Sequence, residues 1–323
     1  MKCRAPARHF SFLLFCERLG MPLNAVTSHA VSIQHHSIHY LERKGRTSDS
    51  PLLILFHGFP ENAHAWEALI NVLPSNYHII APDLPGYHQS ESLPDSSDYQ
   101  VPSLVTRMGE FVRTVSQGRK AILVGHDWGG AIAWPLAAFQ PDLFLKLVII
   151  NAAHPSTFTQ ALKASSAQRK KSEYIKALAA EDAEIVLQQT DFAMLKDMLG
   201  TAMFESSGHK ANEKSYGARL LRSWRNNQTL TAMLNYYREM PQMAPDEHAP
   251  DAELSRIHVP LLRVSLPTLV LWGRLDDAFD EGILNGLATY VPDLRIVYHD
   301  TATHWVHREQ ASWAAREITD FIT

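Results

Sequence analysis

Ala121-Ile-Leu-Val-Gly-His-Asp-Trp-Gly-Gly130 leads from a wholly apolar run, 121–124, directly into a second apolar stretch of helical tone, 131–139. A short apolar run bounded by turn residues reads as a buried strand. Gly125 and Gly129 stand two places either side of Asp127. Small residues at those offsets suit a sharp strand-to-helix turn, in which the central side chain stands clear while its neighbours pack against backbone. A serine at the centre of such a turn must lose a proton before it attacks. A carboxylate, with an unperturbed pKa of about 3.9, is already ionised at neutral pH. It can displace a leaving group from a saturated carbon and remain as an alkyl ester. Water must then add to the ester carbonyl, so donors for an oxyanion are needed in that second half. The plainer reading of Asp127 is a cap on the following helix. Its place between an apolar strand and an apolar helix favours a nucleophile.

Outward from this turn the same rhythm repeats. Runs at 52–56, 77–81, 146–150, 268–272 and 294–298 are apolar and end in polar or glycine-containing turns, and 31–41 reads as a leading antiparallel pair. Strands alternating with helices predict a mostly parallel sheet with helices on both faces, whose ligands gather at the carboxyl ends of the strands. Between Pro155 and about residue 245 the strand pattern stops and helical segments follow at 172–180, 183–198 and 230–240. The expected organisation is an extension at 1–22, a core at 23–154 and 247–323, and an all-helical cap inserted at 155–246.

Chain order supplies the remaining candidates. His57-Gly-Phe-Pro-Glu61 follows the run 52–56, so the N–H of Phe59 is a candidate oxyanion donor, with that of Trp128 as the second. His57 and Glu61 read as buried hydrogen-bonding groups. Trp272-Gly-Arg-Leu-Asp-Asp277 and Thr303-His-Trp305 follow the last two strands. His304 is the candidate base for water, and Asp276 the carboxylate that would hold its tautomer. Spacing alone does not separate Asp276 from Asp277.

His57–Glu61, Asp83-Leu-Pro-Gly-Tyr87, Gly125–Gly130, Leu271–Asp276 and Ala302-Thr-His-Trp-Val306 together resemble, in order, the signatures of epoxide hydrolases of the α/β-hydrolase superfamily. The resemblance runs from about residue 30 to the C-terminus. It implies an α/β-hydrolase fold, an epoxide and water as reactants, and two cap tyrosines that hydrogen-bond the epoxide oxygen. Tyr174, in Ser172-Glu-Tyr174, and Tyr237, in Asn235-Tyr-Tyr-Arg238, match those tyrosines, leaving Tyr236 to pack. Trp128 and His154 are candidate substrate contacts, although a structural role is the stronger reading of His154. His88 and Gln89 depart from the family pattern, and 191–223 is hard to align.

Bulk composition narrows the alternatives. A net charge of −4 without long like-charge runs gives no electrostatic grip on nucleic acid or an anionic membrane. Two cysteines, Cys3 and Cys16, make no disulfide framework and no cysteine-based metal site. No glycine-rich nucleotide loop or metal cluster asks for a cofactor, so none is expected. The apolar run 10–16 is too short to span a bilayer and has no evident cleavage site. The expected location is cytoplasmic, and the oligomeric state is not legible. Rival readings are a haloalkane or haloacetate dehalogenase built on the same aspartate, and a catalytically silent binding protein of this fold. A serine esterase is disfavoured by Asp127.

Overall fold

The computed structural model describes residues 25–204, 215–241 and 243–323. The extension expected at 1–22 lies outside them. Eight strands form one sheet in the order β1-β2-β4-β3-β5-β6-β7-β8: β1 Val26–Ile33, β2 His36–Arg43, β3 Leu52–Phe56, β4 His78–Pro82, β5 Ala121–His126, β6 Phe144–Ile150, β7 Thr268–Gly273 and β8 Leu294–His299. β2 is antiparallel to β1 and β4, and every other pairing is parallel. The leading pair exists but is longer than the expected 31–41. It folds back on Gln34 and His35, both at positive φ (48° and 67°), without the Asn-Gly or Asp-Gly signal that marks such a turn.

The central strands are continuous apolar runs because they are covered on both faces. Successive side chains alternate across the sheet. Ile54, Phe56, Leu123, Val270 and Trp272 enter the core on one face. Leu53, Leu55, Val124, Leu269 and Leu271 enter the core on the other, closed by Trp66, Ala314 and Ile318. The edge strand β1 alternates exposed and half-buried positions instead.

Eight α-helices among the described residues lie between β6 and β7: Pro155–Ala164, Ser166–Lys171, Tyr174–Ala179, Ala183–Gln189, Ala193–Leu199, Tyr216–Trp224, Asn227–Arg238 and Asp251–Leu254. The helix expected over 172–180 is shorter, starting at Tyr174. The helix expected over 183–198 is two helices. Asp191 and Phe192 break it at φ 47° and 58°, and Phe192 is buried against Trp224. Continuous helix would not let Phe192 reach that contact, so burial of a large ring overrides local propensity. The helix Tyr216–Trp224 is tied to the loop after β3: the Trp224 indole donates to the Pro60 carbonyl at 2.9 Å, and Arg219 meets Glu67 at 2.9 Å. No described helix is long and apolar enough to cross a membrane.

The sheet order places the carboxyl ends of β3, β5, β6, β7 and β8 side by side. The turn after β5 is tight enough that its glycines have no substitute. A Cβ on Gly129 would fall 2.1 Å from the Phe56 carbonyl oxygen and 2.5 Å from that of His57. Both are backbone atoms of a buried central strand, so neither can give way. Gly129→Ala is therefore expected to lower stability by at least about 3 kcal/mol, or to prevent folding. A denaturant midpoint within error of the parent would refute this account of the turn.

Candidate active site

Asp127 sits at φ 50°, ψ −120°, the strained centre of the turn between β5 and the helix Trp128–Phe139. Its Oδ1 accepts a 2.7 Å hydrogen bond from the Phe59 N–H. Trp128 opens the helix, where backbone N–H groups have no intrahelical acceptor. Oδ2 of Asp127 lies 3.7 Å from Nε2 of His304. Nδ1 of His304 is 2.9 Å from Oδ2 of Asp276.

Of the two adjacent carboxylates it is Asp276 that His304 meets, while Asp277 is exposed. Asp276 Oδ1 accepts from the N–H groups of Ala278 and Phe279 at 2.7 and 2.9 Å, and Oδ2 accepts from the Asn151 amide at 2.6 Å. Asn151, at the end of β6, also accepts from the Gly273 N–H at 2.9 Å and so ties the end of β6 to the end of β7. Burial alone would raise the pKa of Asp276. His304, Asn151 and Phe279 outweigh it and hold the carboxyl below its ordinary value. Burial would likewise lower His304, but the carboxylates of Asp276 and Asp127 push it up to about 10. In the resting site it is an imidazolium between two carboxylates.

A cavity of about 380 Å³ opens on Asp127 and His304, and Tyr174 and Tyr237 line it from the helical insertion. The two rings meet edge to face at 6.2 Å. Burial, and then the Asp127 and Asp276 charges, raise Tyr174 well above the ordinary phenol value. Burial, Tyr174 and Asp127 do the same for Tyr237, opposed in part by a hydrogen bond from the Trp128 side chain. Both phenols stay protonated. Tyr236 is one position, and so about 100°, away around the helix. It points elsewhere, donating to the Pro85 carbonyl at 2.9 Å.

Two expected substrate contacts are not in the cavity lining. His154 caps the helix Pro155–Ala164 and packs on Trp134 and Tyr290 at 4.9 and 5.3 Å, with burial lowering its pKa to about 4. Trp128 stands behind Tyr237, edge to face at 5.4 Å. Among the described residues His57 is a structural hinge: its ring donates to the Gly58 carbonyl and accepts from the Leu84 N–H. Glu61 is fully used as well. Arg308 lies 3.3 Å away, His307 3.1 Å, and the Tyr216 hydroxyl donates at 2.9 Å. Burial opposes ionisation of Glu61, yet Arg308 and His307 take its pKa down to about 2. Glu61, His126 and His307 bring ligating atoms within 4.8 Å of one another, but Arg308 already supplies the positive charge the carboxylate needs. Motif reading found Glu61 and missed Asn151, His307, Arg308 and Tyr216. Its only signal for Asn151 was the strand end at which it sits.

A family model described as alpha/beta hydrolase fold matches residues 51–310. AB hydrolase superfamily protein YfhM of Bacillus subtilis (strain 168) is 29% identical over 282 residues, covering 85% of this chain and 91% of that protein. Epoxide hydrolase 4 of Homo sapiens is 28% identical over 276 residues, covering 84% of this chain and 72% of that protein. Among solved structures, the Bacillus megaterium epoxide hydrolase in complex with an inhibitor is similar with a TM-score of 0.78 at 25% identity, over 91% of this chain and 99% of that one. The resemblance to epoxide hydrolases carried by the motifs extends to whole-chain relatives, and the chain belongs to the α/β-hydrolase fold family.

Proposed function

We propose that this protein hydrolyses an epoxide to a vicinal diol through a covalent ester on Asp127, beneath a helical cap formed by residues 155–246. The observation that carries the reading is the convergence of a turn-centred carboxylate and two protonated phenols, the half-buried Tyr174 and the buried Tyr237, on one cavity. The names of the relatives agree with it.

Oδ1 of Asp127 is held by Phe59, leaving Oδ2 to attack an epoxide carbon. The C–O bond breaks toward the phenols, which donate hydrogen bonds and then a proton to the forming alkoxide. Alkylation removes the charge of Asp127, one of the two carboxylates that raise His304. The pKa of His304 then falls, its proton passes through solvent in the cavity to the phenolate left by protonation of the alkoxide, and the neutral ring becomes a base for water while Asp276 keeps its tautomer. The Phe59 N–H that held Oδ1 is already placed for the oxyanion formed when water adds to the ester. A dehalogenase would use the same aspartate, but a departing halide needs no proton from a phenol.

Single turnover in heavy-oxygen water should label the Asp127 carboxylate and leave the first diol unlabelled; label in that diol alone means direct attack by water. His304→Gln should form the ester and stall, giving a mass adduct on substrate addition, and full turnover without an adduct removes His304 from the second step.

Tyr174→Phe and Tyr237→Phe should each slow alkylation by about 10²-fold or more, within the range of a positioned proton donor, and the double variant should nearly stop it. Parent-like epoxide turnover by the double variant would refute the cap assignment.

His304 also sets a pH dependence. A folded pKa of about 10, above the ordinary 6.5, means its stabilising pairing is complete below about pH 6.5 and lost as pH rises through about 10. Denaturant midpoints of the parent should fall between about pH 7 and 10, and His304→Gln should flatten that fall. Equal slopes would show that the resting imidazolium is not there.

A further inference from the structure

We propose that the cavity selects its substrate by charge, favouring epoxides whose far end is cationic over those ending in a carboxylate or phosphonate. The inference rests on the reading of the cavity as the active site and names its substrate class. Asp127 and the two phenols form the floor. Asp197, Asp277 and Glu309 line the same cavity and are exposed to solvent. Asp197 belongs to the helix Ala193–Leu199 of the insertion, Asp277 to the loop after β7 and Glu309 to the helix Val306–Glu309, so three separate elements each bring a carboxylate to one opening.

Among the described residues, no lysine or arginine lines the cavity. Nearby cations are already engaged. The Lys171 ammonium bonds to the backbone carbonyls of Asp276 and Phe279, and Arg308 is paired with the buried Glu61. Among the described residues none of the three carboxylates is in an ion pair. Glu309 accepts hydrogen bonds from the Thr303 N–H and hydroxyl at 2.9 and 2.7 Å, which fix its orientation without neutralising it. Deeper in the site the His304 imidazolium balances only one of the carboxylates Asp127 and Asp276. The rings of Phe59 and Tyr237 also line the cavity and suit a cation, while one face of the Trp305 ring is already covered by the Arg308 guanidinium, 4.9 Å from its centroid.

A cleft lined by one sign of charge with low-dielectric walls focuses its field, changing the local concentration of a charged ligand by about 10-fold or more at low salt. This also assigns the adjacent carboxylates 276 and 277 to different tasks. Asp276 is consumed by His304, and Asp277 faces the incoming ligand.

The test uses three epoxides of equal chain length, ending in a trimethylammonium group, a methyl group and a carboxylate. At low salt kcat/KM should favour the cation over the anion by about 10-fold or more, and the ratio should shrink as salt shortens the Debye length to below about 8 Å. Asp197→Asn with Asp277→Asn should reduce the ratio at least about threefold, and Asp197→Lys with Asp277→Lys should invert it. A parent ratio near one, or a ratio unmoved in both variants, overturns the proposal. Binding of the three corresponding diols, read by tryptophan fluorescence, should show the same ordering without chemistry. Charge-ordered diol binding without epoxide turnover would count against the epoxide reading alone, and epoxide turnover without charge ordering would count against the acidic opening alone.

Discussion

The hydrogen bond from the Phe59 N–H to Asp127 joins the loop after β3 to the turn after β5, and much of the site is arranged around keeping that contact. Asp127 is held at a positive φ that costs a non-glycine residue about 1–3 kcal/mol. That conformation persists because its surroundings over-determine it. A Cβ on Gly58 would fall 2.3 Å from the Asp127 Cβ, so glycine alone admits the Asp127 side chain on that side. From above, the helix Tyr216–Trp224 fastens the same loop through Trp224 to Pro60 and Tyr216 to Glu61. The loop that carries the Phe59 N–H is thus fixed by the sheet, by the turn and by the helical insertion together.

Glu61 is where those attachments meet a buried charge. Its carboxylate is shared by Arg308 and His307 from the helix after the His304 loop, and by Tyr216 from the insertion. Removing one partner of a buried ion pair typically costs about 3–5 kcal/mol, because the other charge is left unsolvated. The pairing therefore couples three segments far apart in sequence. His126 extends it: its ring donates to the His304 carbonyl at 3.0 Å and packs on the His307 ring at 4.2 Å. Burial, followed by the charges of His307 and His304, pushes His126 well below the ordinary histidine value, so a neutral ring holds the backbone of His304 in place.

The parts of this arrangement legible in the sequence are those set by local chain geometry. A carboxylate flanked by glycines, a His-Gly-Phe-Pro loop and apolar runs covered on both faces each dictate their structure over a few residues. The choice between Asp276 and Asp277 was not legible. It depends on which side chain turns inward to the N–H groups of Ala278 and Phe279 and to Asn151, and Asn151 is 125 positions away along the chain. The break at Asp191–Phe192 was hidden for a related reason, since the ring that pulls Phe192 inward belongs to Trp224. His154 was left with two readings, the structural one the stronger, because a histidine at a strand-to-helix junction reads the same whether it caps a helix or faces a ligand. Only its contacts with Trp134 and Tyr290 separate the two.

Identical side chains take different tasks here through what surrounds them. Asp276 has both oxygens committed to donors, so it can orient and stabilise a cation but has no free lone pair aimed at a substrate. Asp127 has one oxygen committed and the other facing only His304, at a distance longer than a hydrogen bond. That asymmetry leaves Oδ2 without a hydrogen-bond donor while Oδ1 rests against the Phe59 N–H, as the proposed mechanism requires. The histidine between the two carboxylates reads their difference. With both charged it is held protonated, and in the proposed mechanism esterification of one would release it to act as a base. Conversion of Asp127 to an ester would then itself turn His304 from an acid into the base that the next step requires.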